Sequence, residues 1–286
     1  MKIIKVTNLS SFAVSITPKQ PQKNKKIVQC IINNVKKNGD SALFQYEKKF
    51  SGAKISSLRV TPSEIKFAYS AVSKAEIAAI RQAKSRLQKS ESALQSLLKN
   101  QKIIHDGVTI TKKFIPIASV GCYIPGGLAK YPSSAVMSIV PAKTARVKRI
   151  VAVSPPDSTG NINPLTIVAA DICGADEIYK TGGAQSIAAL SFGTASIAPV
   201  DKIVGPGGAF VTSAKSLLSD TTGIDMIAGP TELGIIADNS ANPKYIALDL
   251  ISQAEHSVDT FCYCITTSEK LAKAISANLS EIIPKI

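Results

Sequence analysis

Tryptophan is absent from this 286-residue chain and aromatic residues make up only 5% of it, so a surface that stacks nucleic-acid bases has little to be built from. Histidine occurs twice, which confines imidazole chemistry to His105 and His256. The five cysteines, Cys30, Cys122, Cys173, Cys262 and Cys264, are odd in number, scattered and form no C-x-x-C pair. Neither a disulfide scaffold nor a Cys-only zinc site is expected, and a reducing cytoplasm is the simplest expected location. No run approaches the roughly 18 consecutive apolar residues that cross a bilayer. The N-terminal stretch also lacks the apolar core and small-residue cleavage site of a secretory signal, so a soluble, unprocessed chain with no membrane partner is expected. Acidic residues are scarce early in the chain: residues 1–115 hold 6 Asp+Glu against 22 Lys+Arg, whereas residues 116–286 hold 14 against 12. The overall charge of +14 is thus +16 in the first region and −2 in the second. Most of the early lysines fall singly or in pairs between apolar helix positions, the pattern of a solvated helix face, and a nucleic-acid partner is not expected.

What is present is a chain that is 45% hydrophobic, enough for one large domain or two ordinary ones. An apolar rhythm through Ile27, Cys30, Ile31 and Val35 runs into Asn38-Gly39, a helix stop, and Asp40 is placed to cap a second helix ending near Gly52. Thr61-Pro62-Ser63-Glu64 and Ser73-Lys74-Ala75-Glu76 are capping boxes that open two more helices. After Gly107 the period changes. The segment 108–124 is β-rich, and strands near 149–154, 177–182, 202–205, 225–229 and 233–238 then alternate with helical stretches. Strand, Gly-rich turn and helix in repetition predict a parallel α/β sheet with ligand sites at the carboxyl ends of its strands.

Four Gly/Pro turns follow strand candidates: Tyr123–Gly127, Thr181–Gln185, Gly205–Gly208 and Ala228–Glu232. Each is explained alone by a tight strand-to-helix connection, or by backbone N–H groups offered to a phosphate or carboxylate. Four in succession favour a ligand crevice. The dinucleotide fingerprint is missing, because Phe210 stands where Gly205-x-Gly207 would need its third glycine. Gln253 and His256 are three apart on a helix and point the same way, open to reading as two metal ligands or as a satisfied helix end. Glu255 falls off that face, His105 precedes a turn and reads as structural, and Cys262 with Cys264 reads as strand packing.

The runs VGCYIPGGLAKYPSSAVMSIVPAKTA, TGGAQSIAALSFGT, VDKIVGPGGAFVTSAK, DMIAGPTELGIIAD and DLISQAEHSVD, with GDSALFQYEKKFSG before them, resemble histidinol dehydrogenase from about residue 25 onward. The resemblance implies NAD-dependent oxidation of L-histidinol to L-histidine through the aldehyde, at the end of histidine biosynthesis, on a zinc-containing homodimer. It implies two incomplete Rossmann-like α/β domains, the second inserted in the first, divided as a helical region 1–122, an inserted NAD-side domain 123–231 and a return 232–286. By the same resemblance Tyr123, Gln185 and Gly208 line the NAD site, Thr231 contacts substrate, and Gln253 with His256 bind zinc and substrate. Gly208 stands where the family usually carries Asn, and Thr231 where it carries Ser. The family's general acid/base pair and its other zinc ligands belong to a C-terminal section that this chain lacks, so no catalytic acid or base is assigned here. A complementing C-terminal fragment is an expected partner. An inactive paralogue, or a fragment that keeps a ligand crevice, is the alternative.

Overall fold

The computed structural model describes residues 2–16, 22–126, 131–227, 232–255 and 260–285. Two compact units emerge, Gln22–Ile227 and a second made of Met1–Pro21 with Ala228–Ile286. The first is continuous in sequence and lies between the two parts of the second, as an inserted domain does.

The Gln22–Ile227 unit is built on a five-stranded parallel sheet of β3 (Ser119–Tyr123), β4 (Arg149–Ser154), β5 (Glu177–Lys180), β6 (Lys202–Val204) and β7 (Gly223–Ile224), in the order β5-β4-β3-β6-β7. Side chains alternate across a strand, and the core divides accordingly. Ile150 and Ala152 of β4 face a cluster with α3 (Pro62–Ala71), α4 (Lys74–Ser96), α5 (Pro132–Thr144) and α6 (Pro164–Cys173). Val151 and Val153 face the opposite cluster, with α2 (Gln22–Phe50), α7 (Gly183–Phe192) and α8 (Ala209–Leu218). Crossovers α5 and α6 carry the chain outward from β3, whereas α7 and α8 carry it to the other side. The strand order therefore reverses between β3 and β6, where a doubly wound sheet opens its ligand crevice. The exposed edge of β5 is covered by the Leu58–Val60 segment, through Val60 N–H to Ile178 O and Lys180 N–H to Leu58 O.

Local signals account for much of this. Both capping boxes form, with Thr61 on Glu64 and Ser73 on Glu76. Gly39 takes φ 53 and ψ −131, which breaks α2 into two helical segments at the expected stop. Asp40 does not serve as a cap there: its carboxylate accepts from the Ser196 amide and hydroxyl at 3.3 and 2.6 Å. The β-rich segment divides into a hairpin, β1 (Gln101–His105) and β2 (Val108–Lys112), followed by β3. Positive φ at Asp106 and Gly107 makes its tight turn, and His105 is exposed beside it.

Tyr123 ends β3, and helices α2–α4 pack on the same sheet as α5–α8. One expectation is corrected. The strand expected over 225–229 is not formed at 225–227, and 228–229 lie outside the described residues; the strand here is the short β7, after which the Asp225 N–H still donates to Ile203 O while its carboxylate takes hydrogen bonds from Gly205 N–H, Met226 N–H and Lys215.

The second unit contains α1 (Leu9–Ile16) and a parallel pair, β8 (Glu232–Ile236) and β9 (Phe261–Ile265), joined through α9 (Pro243–Ala254) and followed by α10 (Glu269–Ile282). Ile246, Ala247 and Leu250 of α9 pack against Leu271, Ile275 and Leu279 of α10, with Cys262 and Cys264 half-buried at the edge. No helix among the described residues is long and apolar enough to cross a membrane.

Candidate functional site

The crevice forms where β3 and β6 end side by side. Gly205 has φ +113, and a Cβ on it would lie 2.2 Å from the Tyr123 carbonyl oxygen, so only glycine lets the two strand ends approach this closely. Its N–H donates to Asp225 Oδ2 at 2.8 Å, while Lys215 Nζ donates to the Gly205 carbonyl at 3.1 Å and to Asp225 Oδ1. Burial would raise the Asp225 carboxyl, but the bonds from Lys215, Gly205 and Met226 outweigh it and hold it below the ordinary range. The Gly205–Gly208 turn is thereby clamped by an ion pair between the buried Lys215 and a partly exposed Asp225. Gly208 itself is exposed at the N-cap of α8, makes no side-chain cap, and has nothing within 4 Å of where a Cβ would stand.

Tyr123 is 6% exposed, and its hydroxyl accepts from Gly183 N–H at 3.3 Å. Desolvation pushes that phenol up, with Glu47 adding to the rise and the Gly183 bond opposing it. Gln185 is 3% exposed and donates Nε2 to Glu47 Oε1 at 2.9 Å. The structure thus brings Tyr123 and Gln185 together on one turn, Thr181–Gln185. Of the two readings of this turn, a tight connection or N–H groups offered to a ligand, the Gly182 and Gly183 N–H groups follow neither openly: they are committed to Glu47 and Tyr123.

Beside this turn a cavity of about 740 Å³ opens at the carboxyl ends of β3, β4 and β5, walled by Pro125, Ser154, Pro155, Lys180, Glu64 and Phe67. Tyr123, Gln185 and Gly208 are not among its lining residues. Pro155 is wedged between two glycines, since a Cβ on Gly126 or Gly182 would meet its ring at 2.8 and 2.4 Å. Lys180 Nζ donates to Glu64 Oε1 at 2.6 Å. Burial works to raise the Glu64 carboxyl, but Lys180 and the Thr61 cap hold it below its usual range. The lining is mixed: Phe67, Pro125 and Pro155 stand beside Ser154, Asp157, Asn161 and the Lys180–Glu64 pair, so the cavity offers both apolar and polar contacts to a small ligand.

In the second unit, Gln253 lies in the last turn of α9 with its Nε2 buried and without a hydrogen-bond partner among the described residues. An unpartnered buried amide is costly unless a ligand completes it. Amide oxygen and nitrogen are assigned from hydrogen-bond networks, so either end of this amide is available to such a ligand. Glu255 is the exposed C-cap of α9. Thr231 and His256 lie outside the described residues. No group of three or more His, Cys, Asp or Glu side chains able to hold a metal occurs among the described residues.

Sequence reasoning missed Glu47, Lys215, Asp225 and the Glu64–Lys180 pair. Glu47 did carry a signal: it lies four residues after Leu43, on the stripe of α2 that also buries Ile31, Val35 and Leu43. An acid on an apolar stripe requires a buried partner.

The sheet order, its reversal between β3 and β6 and the glycine-clamped strand ends define an α/β protein of the doubly wound class. The histidinol dehydrogenase family model matches residues 16–286. The chain belongs to that family of oxidoreductases. It is 46% identical over 256 residues to the histidinol dehydrogenase of Listeria innocua, covering 89% of this chain and 59% of the relative. Against that of Methanocaldococcus jannaschii the identity is 43% over 255 residues, with the same shares covered. The crystal structure of histidinol dehydrogenase from Elizabethkingia anophelis superposes with a TM-score of 0.86 at 37% identity, covering 98% of this chain and 65% of that one. The chain spans about three fifths of the length of the curated relatives it matches.

Proposed function

We propose that this chain is the nucleotide-side portion of a histidinol dehydrogenase, acting in histidine biosynthesis in the two-step oxidation of L-histidinol to L-histidine, as part of a homodimer. The observation that carries the reading is the family match, which runs through every strand and turn of the crevice from residue 16 to residue 286.

NAD would accept a hydride in each oxidation, and zinc would hold the substrate for it. Tyr123 and Gln185 are the side chains we assign to the cofactor. Both are immobilised, Tyr123 by Gly183 and Gln185 by Glu47, so contacts to the dinucleotide would cost little further side-chain entropy. At position 208 only backbone and open space are offered. Gln253 and His256 would take the zinc and the substrate, and the unpartnered Gln253 amide supports that role. Thr231 would keep a hydroxyl for the substrate. The chain holds two histidines, and His105 stands exposed beside a hairpin turn, so we assign none of the described residues to proton transfer.

The test is an assay of histidinol-dependent NADH formation by the purified chain, alone and with the C-terminal portion of a relative added in trans, alongside metal analysis. Turnover and stoichiometric zinc are expected only in the mixture. Turnover by the chain alone would overturn the division of labour, and absence of turnover in a folded mixture would overturn the activity.

A further inference from the structure

Glu47 is fully buried, yet no lysine or arginine forms an ion pair with it among the described residues. Its carboxylate is instead saturated by neutral donors. Oε1 accepts from the Thr181 hydroxyl at 2.8 Å, the Gly182 N–H at 3.0 Å and the Gln185 Nε2 at 2.9 Å, and Oε2 accepts from the Ser51 hydroxyl at 3.1 Å. Three of these donors belong to the N-terminus of α7, whose N-cap residue, Gly182, has no side chain to cap with. The N-terminus of a helix carries partial positive charge and unpaired N–H groups, and is completed by an anion. Here the anion comes from the chain itself.

We propose that Glu47 is a positioning residue for the nucleotide-side turn, the internal anion of α7, which aims the Gln185 amide and closes that helix end to any external phosphate. The aiming follows from chemistry. A carboxylate has only acceptor atoms, so the end of Gln185 that faces it must be Nε2, and Oε1 is turned the other way. Oε1 then rests against Gly183, where a Cβ would stand 2.7 Å from it. Gly183 has φ +59, so both space and backbone exclude a side chain there. The acceptor end of the amide is therefore the one left for the dinucleotide, and a donor such as a ribose hydroxyl or an exocyclic amine is what it suits. The Gly182 and Gly183 N–H groups are taken, so neither is offered to a phosphate. The part of this inference that concerns the dinucleotide rests on the function proposed above. The part that concerns the helix end does not.

The experiment uses the full chain in wild-type, Glu47→Gln, Glu47→Asp and Glu47→Ala forms. Backbone hydrogen exchange across residues 181–185 reads the anchor, with α10 as an internal control for folding. Glu47→Gln is expected to speed exchange there by about tenfold or more, Glu47→Asp by less, and α10 is expected not to change. Formate, a carboxylate small enough to replace the lost group, should slow exchange again in Glu47→Ala and leave the wild type unaffected. Exchange that is unchanged in Glu47→Gln, or a Glu47→Ala protein that folds and ignores formate, overturns the proposal. Should Glu47→Ala fail to fold, the Gln and Asp variants decide it. Calorimetric titration with NAD separates the two layers. A wild-type chain that binds NAD should lose about tenfold in affinity on Glu47→Gln, and equal affinities would overturn the aiming of Gln185. A wild-type chain that binds no NAD would overturn the cofactor assignment, while the exchange and formate results still decide what occupies the helix end.

Discussion

Gly205 and Tyr123 meet backbone to backbone: the Cβ that glycine lacks would stand 2.2 Å from the Tyr123 carbonyl oxygen. Two parallel strands can end in that contact only if one contributes no side chain, and Gly205 also holds φ +113. Gly205→Ala is therefore expected to cost more than about 2 kcal/mol, through overpacking and backbone strain together. Urea unfolding followed by circular dichroism measures it. A change under about 0.5 kcal/mol would mean that the strand ends are further apart than described.

Gly208 presents the opposite case. Nothing stands within 4 Å of its absent Cβ, and it is the N-cap of α8. Gly208→Asn should fold, gain a few tenths of a kcal/mol from capping, and tighten NAD by adding a side-chain amide beside the crevice. Thermal melts and NAD titration report on the two effects. Destabilisation by this variant would contradict the open space around the position.

The Lys215–Asp225 pair secures the turn between those glycines. Lys215→Met leaves the partly exposed Asp225 carboxylate facing Gly205 without its cation, and about 1–3 kcal/mol should be lost. The pH dependence follows from the direction of the Asp225 shift. Its folded value lies below the unfolded 3.8, so its contribution is complete above that pH and disappears as pH falls through the folded value. Asp225→Asn should accordingly flatten the loss of stability on the acid side, and equally steep acid unfolding in both proteins would refute the assignment.

Gln253 allows a test in which removing polarity helps. With no metal added, Gln253→Met removes a buried amide nitrogen that has no partner among the described residues, so stability should be unchanged or rise by about 1 kcal/mol. Zinc retention by the complemented protein should fall at the same time. A loss above about 1 kcal/mol in the metal-free chain would show that the amide is satisfied within the protein.

The elements legible in the sequence share one property: their cause lies within a few residues. Thr61 finds Glu64 and Ser73 finds Glu76 inside a single turn, and the Gly39 break needs only its own dihedral freedom. The alternation of strand and helix after Gly107 was visible because each crossover buries one continuous face. Asp40 shows the limit of such reasoning. As a capping type next to a helix stop it promised a local bond, yet it bonds to Ser196, 156 positions away. Asp225 shows it again, since its carboxylate is held by Gly205 and Lys215, 20 and 10 positions away, which no local pattern announces.

The order of amino acids alone determined the family, the parallel α/β class and the cluster of glycine turns, because short-range periodicity and backbone freedom are properties of contiguous residues. Only the folded chain decided what those turns do. Glu47 reaches Thr181 across 134 positions and fills a helix end that, read locally, looked open to a ligand. Hydrogen bonds and ion pairs depend on distance in space, and that distance exists only after two helices have packed on the same face of one sheet.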